Sequence, residues 1–565
     1  MEKLKGSIAI IKCLKEEGVK TIFGFPGGAV IDLYDDLYDS DITHVLVRHE
    51  QGAVHAADGF ARVTGEVGVA LLTSGPGATN GVTAIATAYM DSIPLVILTG
   101  QVPTPLIGND AFQEVDIVGI TRPCTKHNYL VSKAEDLVPT IREAFHIART
   151  GRPGPVLIDL PKDIVASMVD FDEKKPIRMQ NYQPTYEPHM GQIEKACKEI
   201  LKAKRPVLYV GGGVILSDSN EELTELANKL KIPVTMTLMG LGGFPGRNDL
   251  SMGMLGMHGS YTANMAVAKS DLLIAVGARF DDRVTGRVDA FAPHAKIIHI
   301  DIDPTSISKN VAVDIPIVAD CKHALIAMNN WFTTCGHNLE EVAATHAPWL
   351  ETIADWTTKH PMAYLNEGEI IKPQYVVEKL DELTNGDAII TTEVGQNQMW
   401  AAQFYKFSKP RRLVTSGGLG TMGYGLPAAI GAKMAFPDAM VIDVAGDGSI
   451  QMNIQELATA KQYKCPVKIC LLNNNYLGMV RQWQELFYDK RYAATVMEVT
   501  PDFVALAEAY GAVGLRATKT SEVESVIKEA LSIDNVVLMD FRIAREEGVF
   551  PMVPAGKATT EMLLV

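Results

Sequence analysis

Long apolar runs, paired cysteines and an excess of basic charge are all missing from this 565-residue sequence. No stretch of 18 consecutive apolar residues occurs, so no segment reads as a membrane-spanning helix. The opening residues Met1 to Lys5 lead into an amphipathic helix without the apolar core of a secretion signal, which predicts an intracellular, cytoplasmic chain. Seven cysteines, at positions 13, 124, 197, 321, 335, 465 and 470, contain no Cys-x-x-Cys pair. That pattern argues against a zinc site or a disulfide framework and points to reduced thiols. Asp and Glu (67) outnumber Lys and Arg (52), for a net charge of −15. Nucleic acid is therefore not an expected partner, and any anionic ligand must be drawn in by local groups.

What the sequence does have is length, apolar content and glycine. With 47% hydrophobic residues over 565 positions it can bury several cores. Glycine turns repeatedly follow short apolar runs, which predicts parallel α/β units. Residues Val67 to Gly100 and Met440 to Asn473 each read strand, glycine turn, helix, proline, strand. In the first, the run from Val69 leads to Gly75-Pro76-Gly77, a helix over 78–90 and a strand over 94–98. In the second, the strand 440–445 leads to Gly446-Asp447-Gly448, a helix over 450–463 and a strand over 466–472. Two domains of one doubly wound plan are expected. A third α/β unit lies between them, with strands at 206–210, 272–276 and 297–301. Its turns Gly211-Gly212-Gly213 and Gly277-Ala278-Arg279 could meet a nucleotide phosphate through backbone amides and arginine.

The most informative motif is Gly446-Asp447-Gly448 with Asn474 placed 27 positions after the aspartate. One βαβ unit separates the two, so Asp447 and Asn474 are predicted to meet at the carboxyl ends of adjacent strands, where open α/β sheets bind ligands. A carboxylate, an amide oxygen, a backbone carbonyl and diphosphate oxygens suit octahedral magnesium; zinc would want His or Cys.

This spacing is similar to that of the thiamine diphosphate enzymes. Nearly the whole chain resembles the acetohydroxyacid synthase family in its biosynthetic catalytic-subunit form. The resemblance is carried by Phe25–Ala29, Arg48–Gln51, Thr73–Gly77, Gln101–Pro103, Ala111–Glu114, Gly253–His258, Ala278–Val284, Thr415–Pro427 and Gly478–Trp483. It implies three doubly wound α/β domains with parallel sheets: a pyrimidine-binding domain over 1–170, a linker over 171–189, a central Rossmann-like FAD-binding domain over 190–345, a second linker over 346–369, and a diphosphate- and Mg2+-binding domain over 370–545. A tail, 546–565, is expected to close over the active site.

The resemblance also implies roles. Glu50 is the carboxylate that favours the imino tautomer of the cofactor's aminopyrimidine, so that this ring can take the thiazolium proton. Asp447, Asn474 and the Tyr476 carbonyl hold magnesium. Met422 supports the bent cofactor, Gly420 offers a carbonyl, and Gln396, Gly446, Gly448, Ser449 and Met479 complete its contacts. Arg279, Arg283, Met257, His258, Gly277, Asp301 and Asp320 form the FAD site, a flavin without net redox work. Gln113, Gly28 and Lys162 line the substrate side, and Trp483 selects 2-ketobutyrate over pyruvate as acceptor by packing on one extra methyl group. The implied reaction decarboxylates pyruvate and transfers a hydroxyethyl unit to pyruvate or 2-ketobutyrate, giving 2-acetolactate or 2-aceto-2-hydroxybutyrate on the way to branched-chain amino acids. A pyruvate oxidase or a 2-keto acid decarboxylase is the alternative within the same chemistry. Implied partners are a second copy of the chain sharing the active sites, in a dimer or a tetramer, and a small regulatory subunit.

Overall fold

Segments such as Leu95–Gln101 and Pro155–Pro161 are apolar without alternation, which suits strands covered by helices on both faces, and every residue of both is buried. The computed structural model describes residues 2–172, 177 and 179–564. Residues 173–176 and 178 of the expected first linker lie outside the described residues. Strand β1 (Glu2–Lys5) precedes the first six-stranded sheet. That sheet consists of β2 (Thr21–Phe25), β3 (Thr43–Leu46), β4 (Gly68–Leu72), β5 (Leu95–Gln101), β6 (His127–Leu130) and β7 (Pro155–Pro161). It is parallel throughout, in the order β3-β2-β4-β5-β7-β6. Strand β8 (Met168–Phe171) returns to pair antiparallel with β1.

The central sheet holds β9 (Pro206–Val210), β10 (Val234–Met236), β11 (Ser251–Met254), β12 (Leu272–Val276), β13 (Lys296–Asp301) and β14 (Ile315–Val318), in the order β11-β10-β9-β12-β13-β14. Numbered from its own first strand this is 3-2-1-4-5-6, the dinucleotide-binding order whose switch point falls between the first and fourth strands. The last sheet holds β15 (Ile389–Thr392), β16 (Leu413–Val414), β17 (Val441–Gly446), β18 (Lys468–Asn473), β19 (Val513–Ala517) and β20 (Val537–Arg542), in the order β16-β15-β17-β18-β20-β19. Renumbered within each sheet, the first and last both read 2-1-3-4-6-5. The internal echo in the sequence is thus a repeat of a whole sheet topology.

Two expected helices are each broken in two. A helix expected to start at 450 instead ends there, as the last residue of a short turn of helix, Asp447–Ile450, and helical backbone resumes only at Glu456–Gln462. Between them Asn453 donates to the Gly423 carbonyl at 2.6 Å, a long-range bond that draws the chain out of helical register. The stretch 78–90 forms Pro76–Asn80 and Val82–Asp91, stepping at Gly81 where the backbone lies against Leu72.

The first and last sheets are joined by helix Glu50–Thr64, capped by His49, lying against helix Gly425–Ala435. Contact is backbone to backbone: a Cβ on Gly59 would stand 2.3 Å from the Ala428 carbonyl oxygen, and one on Gly431 would stand 1.9 Å from that of Ala56. Beside them a buried Arg62 bonds Asp58 at 2.6 Å and Asp91 at 2.9 Å. Asp91 in turn accepts the amides of Gly417 and Gly418 at 3.0 and 2.7 Å. Because the backbones leave no room for a methyl group, Gly431→Ala is expected to destabilise the fold by about 2 kcal/mol or more. A denaturant unfolding midpoint equal to that of the parent protein would refute this contact.

Candidate active site

Strands β17 and β18 are paired with Gly446 opposite Leu472, so the residues that follow, Asp447 and Asn474, converge on one carboxyl edge. The backbone amides of Asn474 and Asn475 face the Asp447 carboxylate, yet burial lifts its pKa to about 6. Its Oδ2 is buried and has no hydrogen-bond partner among the described residues. A carboxylate oxygen left in that state takes up either a proton or a cation, and at a ligand-binding strand edge lined by amide and carbonyl oxygens it can take a cation. The Asn474 side-chain oxygen accepts the Tyr476 amide at 3.0 Å, and its nitrogen donates to Gln396 Oε1 at 3.3 Å. The Tyr476 ring lies between two guanidinium groups, Arg481 at 5.3 Å and Arg545 at 4.7 Å, which steadies the loop bearing its carbonyl. No cluster of three or more His, Cys, Asp or Glu suited to a metal occurs among the described residues. An ion at Asp447 would therefore draw its other ligands from amide and carbonyl oxygens and from the bound anion, as magnesium does.

The glycine-rich loop 415–425 borders this turn. Gly420 is exposed in left-handed backbone (φ 71°), and Met422 reaches toward Gly448, where a Cβ would stand 3.9 Å from the Met422 methyl. Ser449, expected to contact cofactor, turns its hydroxyl inward to Glu393 at 2.6 Å. Gln396 is also committed: its nitrogen donates to Gln482 Oε1 and to the Glu547 carbonyl at 3.0 and 2.9 Å. Its side chain thus braces Asn474 against the tail. Met479 and Trp483 lie on helix Gly478–Phe487, partly exposed at the mouth of a cavity, with Trp483 edge-on to Phe487 at 6.0 Å. Trp483 is therefore not a core residue.

At the first sheet the expected residues follow the carboxyl ends of four different strands. Gly28 follows β2, Glu50 β3, Gln113 β5 and Lys162 β7. Lys162 Nζ donates to the Gly28 carbonyl at 3.1 Å. Glu50 accepts a bond from Asn80 at 2.9 Å, beside Gly77. Gln113, in left-handed backbone (φ 59°), lies against Gly75 of the same turn. Within one chain this edge is turned away from the edge that carries Asp447 and Asn474. Leu46 and Arg48, at the end of β3, bond Tyr463 and Gln462, which lead into the amino end of β18. Asp91, at the opposite edge of the first sheet, holds Gly417 and Gly418.

A cavity of about 570 Å³ opens at the switch point of the central sheet. Met257, His258, Gly277, Arg279, Arg283, Asp301 and Asp320 all line it, as do Asp91 and Arg152 from the first unit and Met479 and Trp483 from the last. Arg279 and Arg283 pair only loosely, with Asp281 at 3.8 Å and Asp282 at 3.6 Å, so both can meet an anion. The size and the mixture of apolar walls with a few polar groups fit a dinucleotide. The triple glycine acts differently from expectation. The Gly211 and Gly213 amides donate to Val276 and Gly277 carbonyls at 2.9 and 3.0 Å, and a Cβ at Gly211 would stand 2.1 Å from the Gly277 oxygen. Close backbone packing, not phosphate approach, requires glycine at 211 and 213. Asp320 likewise has a structural duty, capping helix Cys321–Thr334 through the amides of Lys322 and His323. The tail packs over this region: Val549, Met552 and Val553 are buried, Val549 exchanges two bonds with Gln482, and the Val553 amide donates to the Met257 carbonyl at 2.8 Å. Sequence reading missed Glu393, Gln482 and the Asp58–Arg62–Asp91 network, whose partners are remote in the chain.

Comparison with known proteins agrees with this layout. The N-terminal TPP binding domain of thiamine pyrophosphate enzymes matches residues 4–120, their central domain residues 193–328, and their C-terminal TPP binding domain residues 393–541. The chain is 51% identical to the acetolactate synthase isozyme 3 large subunit of Escherichia coli over 572 residues, covering 100% of this chain and 99% of that protein. It is 52% identical to a probable acetolactate synthase large subunit of Methanocaldococcus jannaschii over 571 residues, 99% of this chain and 95% of the relative. It is 50% identical to the Corynebacterium glutamicum acetolactate synthase large subunit over 568 residues, 99% and 90% of the two chains.

Removing the one carboxylate at the turn tests the ion site. Asp447→Asn is expected to weaken Mg2+ binding in the presence of pyrophosphate by about 100-fold, measured by titration calorimetry. Unaltered affinity would show that the ion is held elsewhere.

Proposed function

This chain belongs to the acetolactate synthase large subunits of the thiamine pyrophosphate enzymes, and from that membership we infer how its two sheet edges share one reaction. It is a thiamine diphosphate-dependent acetolactate synthase of branched-chain amino acid biosynthesis, using pyruvate as donor and pyruvate or 2-ketobutyrate as acceptor. When bound, thiamine diphosphate supplies the carbon that accepts the electron pair left as carbon dioxide departs and passes the two-carbon unit to the second keto acid.

The chain's own residues fall into two sets. Asp447, Asn474 and the Tyr476 carbonyl would hold Mg2+, which would neutralise the charge of the diphosphate, and Gly446 and Gly448 would let backbone approach that group. Gly420 and Met422 support the rest of the cofactor. Glu50 holds a proton at the pyrimidine ring nitrogen and so sets which tautomer is present. Gln113, Gly28 and Lys162 orient the keto acids, with Lys162 meeting their carboxylate. The 570 Å³ cavity would hold FAD, with Arg279 and Arg283 available to its phosphates. The three domains span 1–170, 190–345 and 370–545.

Since the two carboxyl edges of one chain point apart, a complete site needs Glu50 of one copy beside Asp447 of another, and the active form is a homodimer. Apolar side chains near those edges, Phe112 at 86% exposure and Met452 at 54%, favour this reading, because such groups are normally covered. The name "large subunit" carried by the relatives supports a separate small regulatory partner. A cytoplasmic setting agrees with seven cysteines and no disulfide among the described residues.

The observation that carries this reading is the unsatisfied Asp447 carboxylate beside Asn474. Purified protein given pyruvate, 2-ketobutyrate, thiamine diphosphate, Mg2+ and FAD is expected to form acetolactate and acetohydroxybutyrate, with loss of both when thiamine diphosphate or Mg2+ is omitted. Acetaldehyde, or acetate with flavin reduction, would contradict it. Trp483→Leu should lower the preference for 2-ketobutyrate by about 10-fold, the scale of one methyl contact. An unchanged product ratio in acceptor competition would remove Trp483 from specificity.

A further inference from the structure

Glu393 is a fully buried carboxylate immediately after β15, and no role in the reaction yet described accounts for it. Its Oε2 accepts the Gly423 amide at 2.7 Å and the Ser449 hydroxyl at 2.6 Å. Its Oε1 accepts the Leu426 amide at 3.3 Å. Gly423 directly follows Met422 in the cradle loop, and Ser449 lies two residues after Asp447 in the acidic turn. One side chain therefore ties together the two segments between which the cofactor must stretch. Ser449 strengthens the tie, since its oxygen is also 3.2 Å from the Gly423 amide and 3.4 Å from that of Val394.

The neighbour of this group explains why it is an anion. Asp443 on β17 is also fully buried, accepts one bond, from Thr391 at 3.1 Å, and has an Oδ2 without a partner among the described residues. Gly425 packs against both residues, a Cβ there standing 2.1 Å from Asp443 Oδ1 and 2.8 Å from the Glu393 backbone nitrogen. Burial raises the pKa of both, and the charge of Glu393 raises that of Asp443 further. Two fully buried carboxyl groups, one raised by the charge of the other, do not both ionise. The proton belongs on Asp443, which has one donor facing it, and the charge on Glu393, which has three and sits at the amino end of helix Gly425–Ala435.

We propose that Glu393 is a positioning residue for the cofactor: its buried carboxylate fixes the spacing between the Met422 cradle and the Asp447 turn, touching neither cofactor nor substrate. The proposal rests on the cofactor location given above and adds to it the element that holds the two half-sites in register. A glutamine at 393 keeps the volume but presents a donor where donors already converge, so at least one of the Gly423, Leu426 and Ser449 bonds is lost. The cradle then shifts relative to the turn, while the turn itself, held by Asn474 and Asn475, does not.

Ligands of different reach separate this from a general weakening of the fold. Magnesium pyrophosphate engages the turn alone, whereas thiamine diphosphate with Mg2+ must engage both segments. In titration calorimetry Glu393→Gln should weaken thiamine diphosphate binding about 10-fold or more, the scale of one hydrogen bond to a charged group, and leave magnesium pyrophosphate binding within about twofold. Ser449→Ala should show the same split to a smaller degree, and it serves as the test if Glu393→Gln does not fold. Equal losses for the two ligands, or no loss for either, would overturn the proposal. Failure of the parent protein to bind either ligand would instead overturn the cofactor location on which it rests.

Discussion

The contact on which the rest of this molecule depends is the close crossing of helices Glu50–Thr64 and Gly425–Ala435. It has no side chains at its centre, only Gly59 and Gly431 against the backbones of Ala428 and Ala56. Backbones that approach so closely allow few relative orientations, and the one adopted sets the first and last sheets with their carboxyl edges apart. The proposal that two chains share each site rests on that orientation. So does the route by which the first unit supports the cofactor loop of the last, since Asp91 reaches Gly417 and Gly418 only because the helices cross here.

Charge is handled in the same economical way around the site. Arg62 neutralises Asp58 and Asp91 in a buried cluster, so the desolvation of each ion is offset by a paired neighbour. Asp447 has one oxygen without a partner among the described residues, the feature on which the proposed cation site rests. Glu393 is solvated by amides and a hydroxyl in place of a cation, which suits a strut better than a ligand. Three buried carboxylate arrangements within one region therefore have three different duties, decided by what surrounds each.

Much of this was legible in the sequence. The glycine turns after apolar runs marked the strand ends, and the spacing of Asp447 and Asn474 announced adjacent strands, because a βαβ unit has a nearly fixed length. The echo between 67–100 and 440–473 foretold two copies of one sheet order. The residues expected to meet a flavin do line one cavity at the central sheet. Less legible were the reasons for individual glycines: Gly211-Gly212-Gly213 looks like a phosphate loop, yet two of its amides are bonded to the Gly277 turn. Helix continuity was also misread, since the Asn453 bond to Gly423 that interrupts 450–463 joins residues 30 apart in the chain.

The sequence by itself determined the strands, the turns that end them and the oxygen chemistry available at those turns, because all of these depend on residues close in the chain and on periods of two or three to four. Only the tertiary structure decided which carboxylate is ion-paired, which is surrounded by amides and a hydroxyl, and which keeps an oxygen without a partner among the described residues. It alone decided, too, that the two halves of the site face away from each other within one chain. Both are set by the burial and the partners that residues acquire when segments hundreds of positions apart are brought together, and no local pattern encodes them.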